Sequence, residues 1–419
     1  MTGLRLLLLI VLLVAAWLAR TLWLGGVFRT LEPHFAGRCT EVAGIPGPED
    51  LTIHPRTGVA YVSACDRFAL ERGESPRGAL YAYPLDAQSP SPVNLTSAEL
   101  TDACPHGISL WVDPDGRDRL FAIVHRGGRH SIEVYDLEGD RLVHRESLAD
   151  PLLLSPNDLV AVGRDALYVT NDHGWPPGFA RTLEEWLRLP LATVVHWDGS
   201  RFSKAASGIR VANGIQASAD GRTLFVAGSL DREVHVYDRD AATGALVLRE
   251  EVPLDTVPDN MELDAEGGLW IGAHPKVLEL VRYRNGRAPR APSQVVRASR
   301  TAGGEWAVEE VFLDAGETLS ASSVAAVRGN RLLVGGIFEP RFLDCRLGDV
   351  PPGSQLRGQS YPPEVARIQP AGVSLKYGSR WNVPEVQSRP SHARRSRSPG
   401  SYWTSHVRPK TRVARRSAS

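Results

Sequence analysis

Six polar marks recur along the 419-residue chain, each at the opening of an apolar run: Glu49-Asp50, His106, Asn157-Asp158, Asn213, Asp259-Asn260 and Ser322-Ser323. Five of the six offer a carboxylate, an amide or a hydroxyl. Brought to one place, such a set of hard oxygen donors selects Ca²⁺, which takes six to eight oxygen ligands, over the softer metals that prefer thiolate or imidazole. Each mark taken alone reads as a turn or cap residue, because Asn and Asp are common in turns. The chemistry therefore depends on whether the fold makes them converge.

The stretch VANGIQASADGRTLFVAGSLDREVHVYDRD shows how it does so. Asn213 opens an apolar run, a turn follows from Ser218 to Gly221, and Thr223 to Ala227 and Glu233 to Tyr237 alternate as strands. The same order follows the other marks. With Asp50, His106, Asn157, Asn213, Asn260 and Ser323 as origins, the gaps are 56, 51, 56, 47 and 63 residues. Six units with a period of roughly fifty residues predict an all-β, six-bladed β-propeller of four strands per blade. The residue that opens each innermost strand then points to one end of a central calcium-binding channel.

Composition agrees with one large β domain: 42% hydrophobic, 39 Gly and 30 Pro supply both a core and many turns. The formal charge of zero conceals an asymmetry, with 34 Lys and Arg against 45 Asp and Glu before residue 346, and 14 against 3 from Arg346 onward. The Pro, Ser and Arg clusters of residues 347–419 predict a disordered basic tail. The acidic body gives no reason to expect a nucleic-acid partner.

At the start, Arg5 precedes a 14-residue apolar run from Leu6 to Ala19, closed by Arg20. That is short for a spanning helix and suits an export signal. Trp17 and Leu18 occupy the places where a cleavage site needs small residues. Residues 1–28 therefore read as an uncleaved signal anchor giving the chain a membrane partner, with a cleaved signal peptide as the alternative; either exports the domain to a membrane-anchored, secreted or periplasmic location.

In an oxidising compartment the four cysteines can pair. Cys39 precedes the first unit and Cys345 ends the last, so a Cys39–Cys345 disulfide would close the ring over a loop of about 300 residues, a constraint on the unfolded chain of ~3–5 kcal/mol. Cys65 and Cys104 either pair with each other or stay free. Between the third and fourth units, Arg181 to Leu189 carries Leu183, Trp186 and Leu187 at helical spacing with Thr182 as a cap, and predicts an amphipathic helix packed over one end of the channel.

The segments EDLTIHPRTGVAYVS, PHGIS, SPNDLVAVG with YVTNDH, VANGIQASADG, VPDNMELD, LWIGAHP and SSVAAVRGNRLLVGGIFEPRFLDC resemble, in order and spacing, the paraoxonase/arylesterase family of calcium-dependent lactonases. The resemblance covers about residues 39–346. It implies two Ca²⁺ ions: a catalytic one held by Glu49, Asn157, Asn213, Asp259 and Asn260, and a structural one held by Asp50, Asp158 and the backbone carbonyl of Ile108. It further implies His106 as general base, His125 as its partner in a His-His pair, and Asp172 and His274 as supports behind the ligands. The substrates implied are small-molecule lactones and aryl esters. Three places depart from the family pattern: Ala273 stands for a cysteine, Val211 for a phenylalanine, and DRFALERGESPRGA after Cys65 differs in length and character. A sugar lactonase of the gluconolactonase type and a non-catalytic, metal-stabilised interaction platform are the rival readings of the same ring.

Overall fold

The computed structural model describes residues 3–96, 100 and 102–348. Most of the expected tail, residues 349–419, lies outside the described residues. Six antiparallel sheets are arranged as the period requires, each with four strands apart from one that carries a fifth. Their innermost strands are Pro48–Ile53, Cys104–Trp111, Pro156–Gly163, Ala212–Ala217, Val257–Leu263 and Ser322–Arg328, and they neighbour one another around a central axis.

The second strand of each blade is nearly all apolar rather than alternating, as in Val59–Cys65, Leu269–His274 and Arg331–Gly336, and is buried along almost its whole length. Both of its faces are covered by neighbouring blades, so both must be apolar. The outermost strands, such as Arg141–Leu148 and Leu246–Pro253, are largely exposed and charged. The core is accordingly distributed as a ring, with an apolar cluster at each of the six junctions between blades. Val62, Val324 and Phe342 belong to one of them, and Trp270, Phe312 and Leu343 to another.

Closure uses the start of the chain. Gly37–Ala43 pairs with Arg341–Leu347 as the outer strand of the last blade, with Cys39 opposite Cys345 and bonded to it. His34–Phe35 extends the preceding blade by pairing with Leu313 and Phe312. Cys65 and Cys104, left open by sequence, are also joined.

Three short helices, Arg67–Glu71, Phe179–Leu187 and Val277–Arg284, lie in the connections between second and third strands of alternate blades. Antiparallel pairing such as Pro156 with Asn171 and Val257 with His274 brings these connections to the end of the ring where the innermost strands open. The helix expected at Arg181 to Leu189 starts two residues earlier, and Gly178 rather than Thr182 is its cap. Its orientation also differs from expectation. Glu184 is buried and its carboxylate accepts the N–H groups of Gly174 (2.8 Å) and Trp175 (3.1 Å), whereas Leu183, Trp186 and Leu187 are exposed. Two charge-assisted bonds to loop N–H groups outweigh the burial of three apolar side chains on a helix this short.

The N-terminal helix spans Gly3–Leu24, 22 residues, and not the 14 of the uninterrupted apolar run, because Arg20 and Thr21 continue it and the Thr21 hydroxyl bonds Trp17 O. At a rise of about 1.5 Å per residue it is ~33 Å long, enough to cross a hydrocarbon core. None of its residues is buried, and Trp17 lies against Trp186 with ring centroids 6.3 Å apart.

His173 fastens the Phe179–Leu187 helix, with Nδ1 2.7 Å from Asp172 and Nε2 3.1 Å from Glu185. Burial opposes its charge, but the two carboxylates push it up to about 9. A raised histidine stabilises the fold in full below its unfolded pKa of ~6.5 and loses that contribution as pH rises through its folded value. Protease cleavage within residues 174–190 should therefore accelerate between pH 7 and 10, and His173→Gln should cleave fast at both; equal cleavage of the wild type at the two pH values would remove this anchor. Replacing both Cys39 and Cys345 by Ala should lower unfolding free energy by ~3–5 kcal/mol in urea titration, and a change below about 1 kcal/mol would show that strand pairing alone closes the ring.

Candidate functional site

All six innermost strands break register at the polar marks. Pairing with the second strand skips between Pro48 and Asp50, Pro105 and Ile108, Pro156 and Leu159, Ala212 and Ile215, Pro258 and Met261, and Ser322 and Val324. The residues inside the skips are Glu49, His106-Gly107, Asn157-Asp158, Asn213-Gly214, Asp259-Asn260 and Ser323. A bulge releases its residues from the ladder and re-aims their side chains. Four of the six are preceded by proline, which has no N–H to give the ladder. That is the sequence signal for the bulges, and reasoning from polar marks alone passed over it.

Glycine lets the strands crowd at this level. A Cβ on Gly107 would stand 2.5 Å from Asp158 Cα, and one on Gly214 2.7 Å from Asn260 Cα. Marks on neighbouring blades thus meet at one end of the channel.

Glu49, Asp50, Asn157, Asp158, Asp259 and Asn260 are all buried there. Asn260 Nδ2 donates to Glu49 Oε1 at 2.7 Å, and Ser323 Oγ to the Glu49 carbonyl at 2.5 Å. Asp50 accepts from the N–H groups of Leu51 and Ile108, and Asp158 from those of Leu159 and Ile215, at 2.7–2.9 Å. Burial first, then Glu49 for Asp50 and Asp50 for Asp158, raises both carboxyls well above their ordinary range. Asp259 is raised by burial as well, and His274 Nε2 at 2.8 Å opposes that rise. Glu49 is the exception: despite burial, His106 and Arg67 lower it.

The Oδ1 atoms of Asn157, Asn213 and Asn260 are buried with no hydrogen-bond partner. A native interior leaves few such atoms unpaired. Three orphaned carbonyl oxygens among buried carboxylates form an acceptor-only set, and its donor chemistry fits Ca²⁺. The Ile108 residue expected to add a backbone carbonyl is buried in the same wall, with its N–H on Asp50.

His106 stands beside this set, Nε2 3.5 Å from Glu49 Oε2. Its Nδ1 is 2.9 Å from His125 Nε2, so the two predicted histidines are joined. Burial, aided by the His106 and His130 rings and Arg67, holds His125 neutral well below the usual imidazole range. Of the two expected supports, His274 touches Asp259, while Asp172 pairs with Ser155 and His173.

Two residues at the site were not foreseen. Arg67 donates to Gly47 O (3.1 Å) and Glu49 Oε2 (3.3 Å), and the Cys65–Cys104 bond fastens its segment to the strand of His106. His130 lies 2.7 Å from His125. Neither sits at a polar mark: His130 is brought in by the Arg126–Arg129 hairpin turn, and Arg67 opens a short helix next to the Cys65–Cys104 bond. A separate trio, Asp231, Glu233 and His235, has its ligand-type atoms within 4.8 Å of one another. Arg210 already occupies both oxygens of Asp231, through its backbone N–H (2.8 Å) and its guanidinium (2.7 Å), which accounts for that carboxylate as an ion pair.

Comparison with known proteins places the chain among relatives. Residues 39–347 match the family model described as Arylesterase. Serum paraoxonase/arylesterase 2 of Gallus gallus is 32% identical over 328 residues, covering 76% of this chain and 91% of the relative. Serum paraoxonase/arylesterase 1 of Homo sapiens is 30% identical over 329 residues, with the same coverages. Among solved structures, a gluconolactonase from Xanthomonas campestris superposes with a TM-score of 0.46 at 19% identity, over 76% of this chain and 94% of that one. The calcium-binding protein regucalcin from Agrobacterium tumefaciens gives 0.46 at 17%, over 75% and 95%. By the extent of the family match and by identity to these relatives over most of their length, the chain belongs to the arylesterase family.

Proposed function

We propose that the chain is a calcium-dependent hydrolase of lactones and aryl esters, exported or anchored by its Gly3–Leu24 helix. The observation that carries this reading is the trio of orphaned asparagine oxygens beside a histidine pair. Membership of a family whose relatives are named paraoxonase/arylesterase supports the substrate class.

Glu49, Asn157, Asn213, Asp259 and Asn260 would hold the catalytic Ca²⁺, and Asp50, Asp158 and the Ile108 carbonyl a structural one. Bound there, calcium supplies Lewis-acid polarisation of the substrate carbonyl. The chain's own residues do the rest. His106 presents Nε2 to the mouth and takes the proton of the attacking water, and His125, kept neutral, accepts a hydrogen bond from His106 Nδ1 and so fixes that tautomer. His274 holds Asp259 in orientation, as a buried partner does for a ligand carboxylate. Arg67 balances the charge of Glu49 and faces the same mouth.

Removing calcium with EGTA should abolish hydrolysis of an aliphatic δ-lactone and phenyl acetate and lower the melting temperature, both restored by Ca²⁺. Asn213→Ala and Asn260→Ala should each weaken calcium binding by about tenfold or more in calorimetry, in line with ~1–3 kcal/mol per lost buried partner. Unchanged turnover in a demonstrably calcium-free protein would overturn the reading. His106→Gln should lower kcat by about 10²–10⁴-fold while melting temperature and calcium affinity stay put; turnover within threefold of wild type would remove His106 as the base.

A further inference from the structure

The histidine pair does not end at His125. Its second ring nitrogen, Nδ1, lies 2.7 Å from His130 Nδ1, and the two rings meet edge to face at 87° with centroids 4.8 Å apart. His125 and His130 face each other across the Arg119–Arg126 and Arg129–Glu138 strands, where they are paired in register at the mouth of the second blade's hairpin. His106, His125 and His130 are all partly exposed, and the hairpin turn from Arg126 to Arg129, next to His130, is fully exposed. Three imidazoles therefore run in single file from the buried ring of oxygens to the outer rim.

We propose that His130 is the third member of a proton wire, setting the tautomer of His125 and passing to solvent the proton that His106 takes from water. This rests on the hydrolase reading and extends it beyond the pair. Hydrogen counting sets the tautomer of each ring. A neutral imidazole has one N–H and one lone pair. For His106 Nε2 to accept a proton, its hydrogen sits on Nδ1 and is donated to His125 Nε2. The His125 hydrogen then sits on Nδ1 and is donated to His130 Nδ1, which leaves the His130 hydrogen on Nε2, the nitrogen on the far side of the ring.

A proton arriving at His106 Nε2 is matched by one leaving His130 Nε2. Between them the hydrogen on His106 Nδ1 crosses to His125 Nε2, and that on His125 Nδ1 crosses to His130 Nδ1. No charge accumulates on His125, and no oxidant or second reactant is involved. Burial, then Arg181, holds the His130 ring towards its neutral form and Asp172 opposes them, so the ring starts neutral, as the hydrogen count requires. Without His130, Nδ1 of His125 loses its acceptor, and the tautomer that receives from His106 loses its support.

The experiment uses the full chain with calcium. His130→Ala should lower kcat for a lactone by about tenfold to a hundredfold at low buffer concentration, less than the ~10²–10⁴-fold of a lost general base because His106 remains, with KM and calcium affinity unchanged. Free imidazole added to the buffer, a diffusible base able to take the proton in place of the missing ring, should restore at least half of the loss. Turnover equal to wild type, or a loss that imidazole does not repair, would overturn the proposal. Ring-nitrogen NMR of ¹⁵N-histidine-labelled protein supplies a readout independent of turnover: His125 should carry its hydrogen on Nδ1 in the wild type and redistribute it in His130→Ala. A wild-type His125 with its hydrogen on Nε2 would sink the wire whatever the kinetics. A wild type that turns over no ester or lactone would defeat the hydrolase reading instead, and the NMR result would still decide the tautomer.

Discussion

Burial of like charge at the axis is the constraint on which the rest of the structure depends. Glu49, Asp50, Asp158 and Asp259 lie within one dry end of the channel, and burial raises three of them against ionisation. Taking an isolated carboxylate out of water costs more than a domain's whole net stability unless it is paired. The backbone N–H groups of Leu51, Ile108, Leu159 and Ile215 each satisfy one oxygen, and Arg67 meets Glu49. These partners leave the orphaned amide oxygens and an unbalanced negative charge, the arrangement a divalent cation neutralises.

A ring of blades is suited to holding such a cluster. Each junction between blades is an apolar core of its own, so the unfavourable centre is braced from six directions rather than by one hydrophobic mass. The brace works only if the ring cannot open, and the first and last strands are joined by seven paired positions and a disulfide. The bulges translate this rigidity to the site. A regular strand would send alternate side chains to alternate faces, whereas a skip at the same level of every innermost strand frees one residue from the ladder in two blades and two consecutive residues in the other four.

Much of this was legible in the sequence because it follows from period and alternation. The polar marks recur at blade spacing, and the apolar runs behind them are long enough to be recognised as strands. Non-local partners were not legible. His130 and Arg67 reach the site because a tight turn folds one strand back and a disulfide pins one loop, and neither event leaves a periodic trace. The helix at Phe179–Leu187 failed differently. Its spacing was read correctly as helical, but the face was assigned by hydrophobicity, and Glu184 won the interior through two loop N–H groups that no pattern of residue types announces. At the N-terminus, counting only uninterrupted apolar residues shortened a helix that Arg20 does not break.

The Cys65–Cys104 bond has a role different from that of the ring-closing one. It spans 39 residues within neighbouring blades, so its effect on the unfolded chain is smaller than that of a 306-residue loop. Its position matters more than its length. Cys65 is two residues before Arg67 and Cys104 two before His106, so one covalent link sets the separation of the guanidinium and the imidazole that flank Glu49. Arg67 carries a fixed positive charge, and its distance from Glu49 decides how much of that carboxylate's charge is left for a cation. His106 helps to hold the same carboxylate ionised. A loop free to move by an ångström would alter both at once, and a site built from charges in a low-dielectric channel feels such a displacement strongly. The bond is best understood as a positional constraint on the site, with the ring's stability assigned to the other.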